Sequence, residues 1–133
     1  MAYLWVFQKV VFEMKLAIPK CLITRPSGEE ISVQCNGNQI LFAFSSIDKG
    51  SEFCKTIRQQ GQADDWYPYN MTSPGSDLRP FLLSSTPSEK WFVAVDAKGL
   101  ADESYQVAKL TAIIEAAERE LDEIEFACLV PGR

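Results

Sequence analysis

Two apolar stretches on either side of Asn36-Gly37 carry the clearest structural pattern in the chain. Residues 31–35 alternate between apolar and polar side chains, whereas residues 39–44 are apolar on both faces. Asn-Gly readily places both central residues of a type I′ hairpin turn at positive φ. The pattern therefore predicts an antiparallel strand pair in which the first strand has one wet face and the second strand is central in the sheet.

A short apolar run, Cys21–Thr24, precedes this pair and predicts another strand. The connecting residues 25–28 carry proline and glycine where a type I turn favours them. The three strands together are predicted to form a meander.

Residues 2–18 fit two different elements. One set of apolar residues recurs at helical spacing and an overlapping set alternates as in a strand: Leu4, Phe7, Val11, Met14 and Ile18 for the helix, and Val10, Phe12, Met14, Leu16 and Ile18 for the strand. Aromatic and β-branched content favours a strand, while the length of the segment and its stop at Pro19 favour a helix. We favour the helix and keep the strand as the alternative.

Two further segments predict helices. The first begins at Ser45 and ends at Gly61, and its interior Gly50 weakens it by about 1 kcal/mol relative to alanine. The apolar face of this helix consists of Ile47, Phe53, Cys54 and Ile57. The second helix spans residues 101–124, because its apolar residues fall within one arc of a helical projection: Leu110, Ile113, Ile114, Ala117, Leu121 and Ile124.

The remaining segments complete the predicted fold. Residues 61–80 form a long irregular connection, and the apolar runs 81–83 and Trp91–Val95 predict a second hairpin. We therefore expect a single α+β domain over residues 1–133. Its antiparallel sheet has about five strands, arranged as a meander plus a hairpin, with two or three helices packed on it.

Composition and charge narrow the classes of function. A hydrophobic fraction of 47% with 23% charged residues is typical of a globular protein and excludes disorder. The net charge of -5 argues against nucleic acid and anionic membranes as partners. The first residues lack the basic region and cleavage site of a signal peptide, so we expect a cytoplasmic protein that does not bind membranes.

The absence of histidine excludes most familiar catalytic sites. It removes Ser-His-Asp and Cys-His pairs and nearly all catalytic zinc sites, and no glycine-rich phosphate loop is present. The four cysteines form no CxxC pair and are expected to be reduced and structural, with a disulfide or reactive thiol as the alternative: Cys21, Cys35, Cys54 and Cys128. We expect no catalytic residue, no metal and no cofactor.

Two surfaces are candidates for binding. The first is the aromatic and acidic part of the 61–80 connection, which alternatively covers a sheet edge; its residues are Asp64, Asp65, Trp66, Tyr67 and Tyr69. The second is an acidic strip beside the apolar arc of the last helix, which alternatively is a solvated face; its residues are Glu115, Glu118, Asp122 and Glu125.

Three short motifs resemble the N-terminal domain family of SseB, a family of small bacterial proteins. They are a leading segment that runs into residues 19–23, the apolar run 39–46 before a helix, and the late apolar run 91–96 before a final helix. The chain differs from the family at Ser45, where threonine is usual, and lacks its Asn-Pro after the late strand. The resemblance implies a bacterial α+β interaction module and carries over no functional residue.

We therefore expect a small, non-catalytic, cytosolic module that binds a protein partner or a small ligand. One alternative is an antitoxin or immunity-type inhibitor whose acidic residues cover a basic effector protein. A second alternative is an enzyme that uses carboxylate or tyrosine chemistry. A third alternative is a homodimer formed through an exposed strand edge or through the apolar N-terminal segment.

Overall fold

The fold is a mixed sheet with helices on both faces. The computed structural model describes residues 4–9, 15–35, 37–100, 105–125 and 127–132. Its strands are β1 (Leu4–Lys9), β2 (Leu16–Ala17), β3 (Cys21–Thr24), β4 (Ser32–Cys35), β5 (Asn38–Phe44), β6 (Tyr67–Asn70), β7 (Trp91–Val95), β8 (Tyr105–Lys109), β9 (Glu123–Ile124) and β10 (Ala127–Gly132). Its helices are α1 (Ile47–Gln59), α2 (Pro74–Leu78) and α3 (Leu110–Glu118), and two short 3-10 turns span Arg79–Leu83 and Ser88–Lys90.

Within these residues the main sheet has eight strands in the order β1-β10-β8-β7-β5-β3-β6, and β4 also pairs with β5. The predicted α+β class is confirmed. The prediction of one antiparallel sheet of about five strands is wrong, because β5 and β7 pair in parallel. Parallel neighbours need a crossover connection, and α1 lies in the segment that makes it.

The central strand β5 separates two hydrophobic clusters. Its alternate residues Ile40, Phe42 and Phe44 pack against the buried face of α1, which includes Phe53 and Ile57. The other two, Leu41 and Ala43, face α2 and α3 and pack with this group: Leu78, Leu110, Ile113 and Ile114. A strand that is apolar on both faces is therefore covered on both faces, as the sequence predicts.

The predicted hairpin at residues 36–37 is confirmed by its register, because Cys35 pairs with Asn38. Gly37 has φ +82°, the left-handed conformation that this turn requires. Asn36 lies outside the described residues. The turn at residues 25–28 also forms, with Gly28 N donating to Arg25 O at 2.8 Å.

The predicted meander is wrong. After a single antiparallel bridge between Thr24 and Glu30, the chain returns to the same edge of β5 that β3 occupies. Strand β3 pairs with the end of β5 and β4 pairs with its beginning, so the two strands run in line rather than side by side. The outer neighbour of β3 is instead β6.

The favoured helix over residues 2–18 is wrong for the residues that the structure describes there. Residues 4–9 form β1, which pairs with β10, and residues 16–17 form β2, which pairs with β9. Residues 10–14 lie outside the described residues. The aromatic and β-branched side chains, which fit a pleated sheet, outweigh the helical spacing.

The second predicted hairpin is also wrong. Residues 81–83 belong to a 3-10 turn that continues directly from α2, and β7 pairs with β5 and β8 instead. Pro80 lacks the N–H that a ladder needs and fixes φ near the value of a turn. The ring of Phe81 still contacts that of Trp91, with centroids 5.4 Å apart, so the two apolar runs meet through side chains.

The predicted helix over residues 101–124 is shorter than its apolar spacing suggests. Residues 101–104 lie outside the described residues, 105–109 form β8, and α3 spans Leu110–Glu118. The helix ends in a Schellman motif in which Leu121 N donates to Ala116 O and Glu120 N donates to Ala117 O. Glu120 takes the left-handed position at φ +58°, where glycine is the usual residue.

The predicted helix after β5 is confirmed, with a shift of one residue at its start. Ser46 is the N-cap and its side chain accepts from Lys49 N at 3.3 Å. Gly61 follows the helix at φ +94°, as predicted. Ile47, expected on the buried face, is 43% exposed.

Candidate functional site

The parallel pair β5 and β7 brings two loop segments together at the carboxyl ends of its strands. Ser45 follows β5 and leads into α1, and Asp96 follows β7. Asp96 N donates to Ala43 O at 3.0 Å, which fixes the exit of β7 against β5. Ligands of open α/β sheets bind outside the carboxyl ends of parallel strands, so this edge is the first place to look for a site.

The Asp96 carboxylate joins the two segments. Its Oδ1 accepts from Ser45 N at 2.8 Å, and its Oδ2 accepts from Ser45 Oγ at 2.8 Å and from Lys49 Nζ at 3.3 Å. Asp96 itself has φ +59°, a left-handed conformation that aspartate adopts more readily than most residues. These three residues, the Asp96 latch, hold the end of β7 against the start of α1.

Beyond the latch, residues 96–100 run along α1 towards its carboxyl end. There Leu100 N donates to Gln60 Oε1 at 3.3 Å. Gly99 lies so close to the helix that a Cβ built on it would be 3.1 Å from Gln60 Nε2 and 3.5 Å from Thr56 Cγ2. The segment is therefore attached to α1 near both of its ends.

Between α1 and this segment lies a cavity of about 660 Å³, the α1 groove. Its floor is apolar, with the buried Phe53 and the half-buried Ala97, and its rim is polar and mostly charged. This combination is typical of small-molecule sites, where apolar lining supplies affinity and a few polar groups orient the ligand. The lining residues are Asp48, Lys49, Glu52, Phe53, Thr56, Asp96, Ala97, Lys98 and Gln106.

None of the nine binding residues predicted from the sequence lines the α1 groove. The aromatic segment instead forms the edge of the sheet, because Tyr67 and Tyr69 belong to β6. Asp65 binds the guanidinium of Arg25 at 2.9 Å, and that guanidinium lies over the Trp66 ring, 5.0 Å from its centroid. Asp64 is exposed in the preceding turn. This placement agrees with the alternative interpretation, in which the segment covers a sheet edge.

Burial also affects the chemistry of this edge. It raises the pKa of the Tyr69 phenol, and the neighbouring Glu30 carboxylate raises it further. A phenol with a raised pKa stays protonated at neutral pH and is a poor base. Tyr69 is therefore placed to pack and to donate a hydrogen bond rather than to remove a proton.

The four acidic residues predicted as one helical strip do not form one. Glu115 and Glu118 are on α3, whereas Asp122 and Glu125 follow its end. Glu118 pairs with Arg79, and Glu115 lies 3.8 Å from Arg119. Asp122 lines a second cavity of about 550 Å³ between the β2 segment and the end of α3. The structure thus distributes these charges over several surfaces.

The thiols of Cys21 and Cys54 are buried. Cys21 and Cys54 are free cysteines, and desolvation by burial raises the pKa of Cys21 from 9.0 to about 11 and also raises that of Cys54. A thiol with a raised pKa carries little thiolate at neutral pH, so both are unreactive in the folded protein.

Among the residues that the structure describes, no group of three or more Cys, Asp and Glu side chains is arranged to hold a metal ion. Within the same part of the chain, no helix has the length and apolar character needed to cross a membrane.

Comparison with known proteins gives no assignment. No protein-family model matches this chain, and none of the curated proteins matches it by sequence. The resemblance to the SseB N-terminal domain family stays a prediction, and a function must be argued from the groove itself.

Ser45 and Asp96 could not be predicted as partners from local patterns, because they are 51 residues apart in the chain. One signal was available, since each follows directly after an apolar strand at residues 39–44 or 91–95. Had the two strands been taken as parallel neighbours, their carboxyl ends and these two side chains would have been placed together.

Proposed function

We propose that this chain is a non-catalytic binding module whose ligand site is the α1 groove. The observation that carries the proposal is the groove itself, an apolar floor with a polar rim at the carboxyl ends of a parallel strand pair. Both walls are held in place by the Asp96 latch and by Gln60, so the site is formed before a ligand arrives. A preformed site binds without the cost of ordering its walls.

The geometry favours binding over catalysis. Ser45 Oγ donates to Asp96, but the same carboxylate also accepts the backbone N–H of Ser45 and the ammonium of Lys49. A serine nucleophile needs a nearby base that takes its proton, and aspartate is a far weaker base than the histidine of a hydrolase triad. The hydrogen bonds of Asp96 serve instead to join two segments of backbone.

The alternative of an acidic inhibitor has less support. Its acidic residues would need to present one negative surface to a basic partner. Glu115 and Glu118 are instead matched by arginines of the same chain, and Asp122 and Glu125 lie beyond the helix.

The test is a fragment screen followed by two-dimensional ¹H–¹⁵N NMR of the folded chain. We expect binding fragments to shift the amide signals of Phe53, Thr56, Ala97 and Lys98. Thr56→Trp, which fills the groove from α1, should reduce the affinity at least tenfold. The matched control is Lys55→Trp, which places the same bulky side chain on the preceding residue, outside the groove lining.

Both variants must first give a dispersed NMR spectrum like that of the wild type. Fragments that bind only at other surfaces, or that bind Thr56→Trp as well as they bind the control, would show that the α1 groove is not the ligand site.

A further inference from the structure

The charges on the rim of the α1 groove divide into paired and unpaired groups. Asp96 and Lys49 are paired with each other in the latch. Among the described residues, Asp48 and Lys98 have no ion-pair partner, and Glu52 has only a long contact of 3.7 Å to Lys55. The charges left for a ligand are therefore Asp48 on α1 and Lys98 on the opposite wall, together with Glu52 on α1, whose contact with Lys55 is long and exposed.

The carboxylates and the ammonium that remain for a ligand lie on opposite walls of the groove. Asp48 and Glu52 are one turn apart on α1, so they share a face of that helix. Lys98 lies in the segment that follows β7, which the latch and Gln60 hold alongside α1. Between the two walls is the apolar floor of Phe53 and Ala97.

We infer that the ligand of the α1 groove is a small zwitterion with an apolar body, the class that includes apolar α-amino acids and short apolar peptides. Its ammonium binds Asp48 and Glu52, its carboxylate binds Lys98, and its apolar part covers Phe53 and Ala97. This inference rests on the proposed function, because it assigns a ligand class to the same groove. It follows from charge complementarity, since a ligand of one charge alone would leave one wall unmatched.

The experiment is calorimetric and NMR titration of the full chain with L-leucine and with the dipeptide Leu-Leu, which present the same two charges at different separations. Leucine methyl ester lacks the carboxylate, and N-acetyl-leucine lacks the ammonium. We expect one of the two zwitterions to bind, and the matching analogues that lack one charge to bind at least tenfold more weakly. If L-leucine binds more tightly, the ligand is a free amino acid, and if Leu-Leu binds more tightly, the ligand is a short peptide.

The variants test each wall separately. Lys98→Gln should weaken the zwitterion at least fivefold and should not weaken the cationic ester. Asp48→Asn with Glu52→Gln should weaken the zwitterion and should not weaken the anionic N-acetyl compound. Lys90→Gln, at an exposed position just before β7 and outside the groove lining, is the control and should change nothing.

Failure of this inference is distinguishable from failure of the proposed function. If neutral or singly charged fragments bind in the groove and neither zwitterion does, the ligand class is wrong while the groove remains the site. If no compound of any kind shifts the groove amides, both proposals are wrong. Binding of the ester and the N-acetyl compound as tight as that of the zwitterion would also overturn the ligand class.

Discussion

Replacing Asp96 with alanine tests whether the latch holds the two walls of the α1 groove together. The substitution removes two hydrogen bonds of 2.8 Å from Ser45 and the ammonium contact with Lys49. It leaves Ser45 N without its acceptor in a partly buried position. The left-handed φ of +59° remains, and alanine adopts it less readily than aspartate does.

The expected loss of stability can be worked from these contacts. A hydrogen bond to a charged group contributes about 1.5–3 kcal/mol. Because the Asp96 side chain is 25% exposed to water, both bonds are taken at the lower end of that range. The Lys49 contact adds little, because that side chain is 60% exposed. Alanine in the left-handed region costs about 1 kcal/mol. We therefore expect Asp96→Ala to lower the free energy of unfolding by about 4 kcal/mol.

The assay is urea unfolding followed by tryptophan fluorescence, with the m-value compared between variants. Asp96→Asn keeps an acceptor for Ser45 N and should lose about half as much as Asp96→Ala. The matched control is Asp64→Ala, since Asp64 is exposed in a turn and makes no ion pair with any residue that the structure describes. A loss below about 1 kcal/mol in Asp96→Ala would refute the latch as the element that fixes the groove.

Three other predictions concern the surroundings of the site. Gly50→Ala should destabilise the protein by at least about 1 kcal/mol despite the better helix propensity of alanine, because a Cβ there would be 2.9 Å from Pro68 Cβ. Thermal unfolding measures this loss, with Ser51→Ala as the control. A Gly50→Ala variant more stable than the wild type would contradict the close packing of Gly50 against Pro68. Cys21 has a pKa of about 11 when folded and 9.0 as its ordinary value. The contribution of this buried, protonated thiol to the free energy of unfolding is therefore fully present below pH 9. It is lost as the pH rises from about 9 to 11, by up to about 3 kcal/mol. Urea unfolding across that range should show a shallower decline in Cys21→Ala, and an unchanged slope would count against the burial of the thiol. Ser46→Ala should cost about 1 kcal/mol as the loss of a helix cap, measured by urea unfolding; an equal loss in Ser51→Ala would show that the cap has no special role.

Local turn chemistry was the most predictable part of this fold. The register of the β4–β5 hairpin and the end of α1 at Gly61 follow from residues that favour positive φ, and this preference does not depend on distant parts of the chain. The end of α3 was not predictable in the same way. Glu120 occupies a position that usually belongs to glycine, so the sequence carried no stop signal there.

Strand pairing was much harder to predict, since it depends on partners far apart in sequence. The runs at 81–83 and 91–95 look like a hairpin because they are close in the chain and both apolar. Strand β7 lies instead between β5 and β8, and residue Gln39 of β5 pairs with Trp91 across about fifty residues. Alternating hydrophobicity reports which face of a strand is buried but not which strand lies beside it.

The candidate site was missed for the same reason. Its parts come from one strip of α1, the segment after β7 and Gln106 of β8, and no motif joins them in the sequence. The cluster that is contiguous in the chain is instead the aromatic segment at 64–69, which covers a sheet edge. Asp96 and Lys98 gave no comparable signal, because isolated charged residues after a strand are common on protein surfaces.

The edge strand β6 has a consequence for how this protein behaves in a crowded solution. Met71 N donates to Lys20 O, and from that register the backbone groups of Tyr67 and Tyr69 point towards β3, while Pro68 occupies the position that faces outwards. Proline has no N–H to offer an incoming strand at that position. One border of the sheet is thereby protected against recruiting another polypeptide into an amyloid-like ladder, and Pro68→Ala would restore the missing donor and remove that protection.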